Sequence, residues 1–236
     1  MAENQTNVAV STQRRFRYLI DIVFLVAATL LLEIGLGAIY VPNDQRFAFV
    51  FAMVVQLLGV AIGWLLIRLR GETLADIGLK RPRNWLGTFM SAVLIAALIF
   101  AVVYLSETMG LRRDLSRFSA VKGNLELTLY AVFYALIGAG FYEEFMFRGF
   151  LFHGLANFFG ASRRAWISAC LLQGLLFGVA HAYQNAFGIL LTGVLGVLMG
   201  FFLLASDRNL WALIIGHGLY DASRFILFYF HGPPAV

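Results

Sequence analysis

The sequence predicts an all-α fold, a polytopic transmembrane bundle of about seven helices, and three observations predict it. Of 236 residues, 61% are hydrophobic and 13% charged, against roughly 45–50% and about 25% in soluble domains; the mean hydropathy is +0.80. Apolar runs of about 20 residues, the length that crosses a hydrocarbon core about 30 Å thick, recur along the chain. Charged residues gather between these runs, apart from a few that sit inside them.

The first run extends from Tyr18 to Val41 behind Arg14, Arg15 and Arg17. It is longer than the roughly 7–15-residue core of a cleaved signal, so it reads as a retained helix. Further spans are expected at Phe47 to Leu69, Trp85 to Ser106, Leu125 to Phe152, Arg164 to Ala182, Ala186 to Ala205 and Leu210 to Phe230. In hydrocarbon each must satisfy its own backbone polar groups, which makes it a helix. The polar connector from Glu107 to Asn124 is expected to lie along the interface as an amphipathic or re-entrant piece, an eighth element. By polarity the chain divides into a cytoplasmic tail (1–17), N-terminal helices with their connectors (18–124), a core holding the reactive side chains (125–230) and a C-terminal tail (231–236).

A net charge of +5 with a pI near 9.6 would suit a nucleic-acid partner only if the cations shared a polar face, and they do not. They report topology instead. With the N-terminus in the cytoplasm, eleven basic residues fall inside (Arg14, Arg15, Arg17, Arg68, Arg70, Lys80, Arg81, Arg83, Arg163, Arg164, Arg208) and five outside (Arg46, Arg112, Arg113, Arg117, Lys122). The positive-inside rule therefore favours a cytoplasmic N-terminus. The expected home is the cytoplasmic membrane of a prokaryote, with membrane lipids as the surrounding partner and no nucleic acid. Cys170 is the single cysteine, so no intramolecular disulfide can form.

Charged groups at membrane depth cost at least roughly 2.5–3.5 kcal/mol each, and those that persist usually pair or do work. Glu143, Glu144 and Arg148 fall within six residues of an otherwise apolar span. Glu144 and Arg148 share a helical face at i, i+4, whereas Glu143 points about 100° away and is left unpaired. An unpaired carboxylate in apolar surroundings suits a general base that takes a proton from water and returns it. Phe177 and His181 share a face at i, i+4, as do His217 and Asp221. The set permits two readings. Glu143, His181 and His217 can bind a divalent metal such as zinc and leave a position open for water; or Glu143 and His181 activate water directly while His217 and Asp221 stabilise the oxyanion. Asp21, His153 and His231 sit at span ends and read as interfacial; Glu33 lies deeper, and Arg224 at i, i+3 competes for Asp221.

The segments EEFMFRG, FGVAH and HGLYD resemble, in order, the three motifs of the CAAX prenyl protease and bacteriocin-processing (CPBP) intramembrane protease family, a type II CAAX endopeptidase-like group. The resemblance covers about Leu125 to Phe230. It implies a membrane-embedded endopeptidase in which Glu143 and His181 activate the attacking water, Glu144 and Arg148 orient the site, and His217 with Asp221 completes it. The implied substrate is a membrane-associated or lipidated peptide or protein. Asp221 stands where Asn is common in the family. The alternative is a non-catalytic scaffold or a proton-coupled transporter that uses the same cluster, though no matching pair of interrupted helices marks a transport site. One geometric conflict accompanies all these readings: counted at about 1.5 Å per residue, Glu143 and His217 fall in the cytoplasmic half of their spans and His181 near the outer end.

Overall fold

The structure, a computed structural model, describes residues 12–39 and 44–235. The expected tail as far as Ser11, the end of the first span at Val41, and Val236 lie outside the described residues. The described residues form eight α-helices and no strand: α1 Thr12–Ile39, α2 Gln45–Leu69, α3 Trp85–Thr108, α4 Leu125–Tyr134, α5 Phe152–Phe158, α6 Arg163–Ala180, α7 Asn185–Ala205 and α8 Trp211–His231. A π-helical stretch, Ala135–Leu151, joins α4 to α5 without a break, and a 3₁₀ helix spans Ser116–Val121.

Helix starts follow capping chemistry. The side chains of Asn84, Asn124 and Ser162 accept from the amides of Gly87, Leu127 and Ala165, which the first turn leaves without partners. Outward faces are apolar, with Leu31, Leu86 and Leu125 each at least 60% exposed. A water-facing surface would not be built this way; this is an integral membrane protein. Five segments are long and apolar enough to cross: Thr12–Gly37, Gln45–Leu69, Trp85–Thr108, Leu125–Phe158 and Ala182–Ala205. Of the seven expected spans, α6 and α8 fall short of that measure, because α6 opens on Arg163 and Arg164 while α8 carries Asp221 and Arg224.

The connector from Glu107 to Asn124 departs from the interfacial helix expected of it. Gly110 and Gly123 stand at its ends with φ of +79° and +70°, and its longest helical piece has six residues. It folds instead as a roof. Backbone and side-chain bonds tie Asp114 N to Gln184 O, Asn185 Nδ2 to Arg112 O, Gln45 Nε2 to Arg117 O and Gly123 N to Tyr229 O, fastening it to α2, α7 and α8.

Close crossings set the relative depth of the C-terminal helices. A Cβ on Gly140 would stand 2.9 Å from Ile214 O and 3.0 Å from Gly218 Cα, so the π-helical stretch meets α8 backbone to backbone. A Cβ on Gly178 would meet Ile189 O at 2.5 Å, which presses α6 onto α7 in the same manner. Leu210 N donates to Gly78 O, so α8 starts packed against the Thr73–Lys80 turn.

Candidate active site

Glu144 has no exposed surface and sits on the π-helical stretch, which carries it into the gap bounded by α6, α7 and α8. π-Helical backbone is rare and often marks functional sites. Glu144 Oε1 accepts from Arg148 Nη1 at 3.1 Å and contacts His217 Nδ1 at 2.8 Å. With a carboxylate on its Nδ1, the His217 ring carries that hydrogen on Nδ1 and turns Nε2 toward Asp221 Oδ2, 3.5 Å away. Arg148 is 1% exposed, donates to Met199 Sδ, and lies with its guanidinium carbon 3.9 Å from the centroid of Phe177. The expected i, i+4 pairs therefore form, and the sequence-distant Glu144–His217 pair links them.

His181 ends α6. Its Nδ1 lies 2.8 Å from Phe177 O, one of the last carbonyls that the helix leaves free. A carbonyl only accepts, so Nδ1 carries the hydrogen and Nε2 keeps its lone pair. That lone pair faces Glu143 Oε2 at 3.8 Å, beyond a direct hydrogen bond, and Oε2 is cut off from solvent with no hydrogen-bond partner. The depth conflict disappears here. His181 is at the end of its helix but beneath the roof, since the roof binds Gln184 three residues later, and α8 begins inside the molecule.

Phe177 sits between the motifs, 2% exposed. Its ring centroid lies 4.6 Å from that of His181, 6.2 Å from that of His217 and 4.9 Å from that of Phe147. All of these groups border a cavity of about 860 Å³, walled on one side by Leu25, Val26, Phe51, Val55 and Met146 and roofed by Arg113, Leu115, Arg117 and Phe118. The α1 and α2 side is mostly apolar but also carries Thr29, Glu33 and Gln56; the reactive groups come from the π-helical stretch, the end of α6 and α8.

Several polar residues have different neighbours from those expected. Arg224 pairs with Glu107, at 2.6 and 3.3 Å, and leaves Asp221 to His217. Asp21 and His153 are buried rather than interfacial, at 8% and 9% exposure, and join Arg70 and Glu72 at the C-terminal end of α2. Glu33 is exposed on α1 at the cavity's edge. Sequence reasoning passed over Arg113, Tyr220 and Gln184, which also border the cavity; Arg113 was counted only as a topological charge.

Among the described residues no group of three or more His, Cys, Asp or Glu side chains is arranged to hold a metal ion. The reason is visible in the pairing: Glu144 takes His217 Nδ1, Nε2 faces Asp221, and Glu143 faces only His181. Glu143, His181 and His217 thus do not fit a resident zinc, whose nitrogen and oxygen ligands converge to about 2.0–2.2 Å.

Residues 124–223 match the model of a family described as type II CAAX prenyl endopeptidase, Rce1-like. The match starts at the cap of α4, runs into α8 and includes all six site residues; it leaves α1 to α3 outside. At family level it supports a CAAX-type intramembrane protease and so a hydrolase. No curated protein and no solved structure shows a match.

Proposed function

We propose that the protein is an intramembrane endopeptidase that hydrolyses a peptide bond of a membrane-associated or lipidated substrate with water activated by Glu143 and His181. The observation that carries this reading is the pair of acceptors, Glu143 Oε2, which has no hydrogen-bond partner, and His181 Nε2, 3.8 Å apart on the wall of a cavity inside an apolar bundle. One water can donate a hydrogen to each.

In this mechanism Glu143 takes the proton as water attacks the peptide carbonyl, and the same carboxyl returns it to the leaving amine. His181 fixes the direction of attack, because Phe177 O holds its tautomer. His217, oriented through Nδ1 by Glu144, presents Nε2 to the developing oxyanion when it is protonated. Arg148 balances Glu144, and Asp221, whose Oδ2 lies 3.5 Å from the same Nε2, orients the ring until the oxyanion replaces it as acceptor. The apolar wall formed by α1 and α2 suits the lipid part of a substrate. The same reading takes α6 and α8 as membrane-embedded, for seven spans in all, with the N-terminus on the basic, cytoplasmic side of a prokaryotic cell membrane.

The test is cleavage of S-prenylated CAAX peptides by the purified protein in nanodiscs. The parent should cut them, with the rate unchanged by a chelator, whereas Glu143→Gln and His181→Ala should not. A Glu143→Gln protein as fast as the parent would remove the mechanism.

A further inference from the structure

The two ends of the bundle differ in charge and in access to the cavity. One end joins the start of α1, the end of α2, the turn before α3, the start of α6 and the turn before α8. There Arg17 Nη2 donates to Leu69 O, Lys80 pairs with Asp207, the Arg208 guanidinium lies over Trp166, and Trp85 packs on Trp211. Eleven basic residues gather at this end. The opposite end carries the roof, where Gly123 N donates to Tyr229 O and Arg46 pairs with Glu126, and it holds five.

The cavity is closed toward the basic end. Phe150 lines it on one side and on the other carries the Arg70 guanidinium, 4.9 Å from the ring centroid. Ile67, Phe150, Phe152 and Leu210 are each at most 1% exposed, and a Cβ on Gly149 would stand 3.2 Å from the side chains of both Ile77 and Leu210. The exposed members of the lining lie on the other side: Val26, Leu30 and Glu33 along α1, Gln45 at the start of α2, Arg117 in the roof and Tyr183 just beyond α6. The mouth therefore faces the roofed half of the bundle, and the apolar surface of Val26 and Leu30 opens it sideways.

We propose that this mouth opens to the leaflet opposite the cytoplasm, so that the enzyme cleaves lipid-anchored peptides presented from outside the cell rather than from the cytoplasm. This rests on the peptidase reading and adds the side from which substrate arrives. The connectors are short, the condition under which basic residues report orientation, and the excess of eleven over five puts the sealed end in the cytoplasm. A lipid anchor enters past Val26 and Leu30, while the peptide passes Glu33, Gln45 and Arg117 to reach Glu143 and His181. From the sealed end a polar chain would have to displace Phe150 and break the Arg70–Glu72 pair behind it, in a region where unpaired charge is costly.

The experiment uses the full chain in a bacterial cell membrane. The parent, whose single Cys170 is buried, serves as the blank for thiol labelling. A membrane-impermeant maleimide added to intact spheroplasts should label Gln45→Cys at the mouth and Ala120→Cys on the roof. Ala75→Cys, exposed in the turn at the basic end, should label only after permeabilisation. The reverse pattern, or labelling of all three before permeabilisation, overturns the proposal. Cleavage is then followed with an S-prenylated peptide bearing a charged dye that cannot cross the bilayer, added to sealed vesicles. Right-side-out vesicles should cut it, and inside-out ones should not until detergent opens them. Equal rates, or cleavage confined to inside-out vesicles, overturn the proposal. If neither orientation cuts the peptide even in detergent, the peptidase reading fails on its own, and the labelling pattern alone decides the side on which the cavity opens.

Discussion

Two polar clusters are buried in this apolar bundle, and they treat their carboxylates differently. Beyond the C-terminal end of α2, Glu72 gathers Tyr18 Oη and His153 on Oε1 and Arg70 Nε on Oε2, while Arg70 also reaches Asp21 and stacks over Tyr18 and Phe150. Both oxygens of Glu72 are engaged. In the candidate active site Glu143 and Glu144 each keep an Oε2 with no hydrogen-bond partner. A carboxylate whose donors are complete holds structure together; one left short of donors has capacity for something else. Burial alone therefore does not separate these carboxylates; the engagement of both oxygens does.

The sharpest break in this contrast is Glu143→Gln or His181→Ala. Either should lower kcat on a prenylated peptide by about 10²–10⁴-fold while the melting temperature in detergent stays near that of the parent. Next is Glu144→Gln, which leaves Arg148 buried without its counter-charge. It should cost about 3–5 kcal/mol of stability, read as a lowered denaturation midpoint, and replacing Arg148 by Met in the same chain should recover part of it. Glu72→Gln should cost less, about 1–3 kcal/mol, and leave kcat at the parental value at temperatures where both proteins are folded; a loss of kcat there would erase the distinction between the clusters.

The Glu72 cluster also carries a pH signature. Burial opposes ionisation of Glu72, but hydrogen bonds from His153 and Tyr18 outweigh it and hold the carboxyl down to about 2. The unfolded value is near about 4.3, so the stabilisation is whole above that pH and is lost as the pH falls toward about 2. Melting temperature should decline over that interval, and Glu72→Gln should flatten the decline. The smallest effect expected is that of Asp221→Asn. Its oxygen stands 3.5 Å from His217, against 2.8 Å for Glu144, and a contact that long is weak; kcat should change by less than about tenfold.

What could be read from the sequence was whatever a helix writes locally. Glu144 with Arg148, Phe177 with His181 and His217 with Asp221 all stand at i, i+4, and each pair meets in the structure. The apolar runs likewise announced the helices. Pairings across the chain left no such trace: Glu144 with His217, Arg224 with Glu107, and Glu72 with Tyr18 and His153 join residues separated by 54 to 117 positions. Arg113 looked like a topological charge because its place at the cavity depends on a connector folding inward, which no periodicity encodes. The span count depended on α6 and α8, whose charges lower the very hydropathy by which a span is recognised.

Phe177 offers a last consequence. It has no polar side-chain atom, yet it underlies the Arg148 guanidinium, borders both histidine rings, and through its backbone oxygen sets the tautomer of His181. In a scan of every position for lost turnover, this inert ring should score beside the glutamates. Substitutions there and at Arg148 or His217 should combine non-additively, because each disturbs an arrangement that the others share. A residue can thus be indispensable to a reaction by holding apart, at the right angles, the groups that perform it.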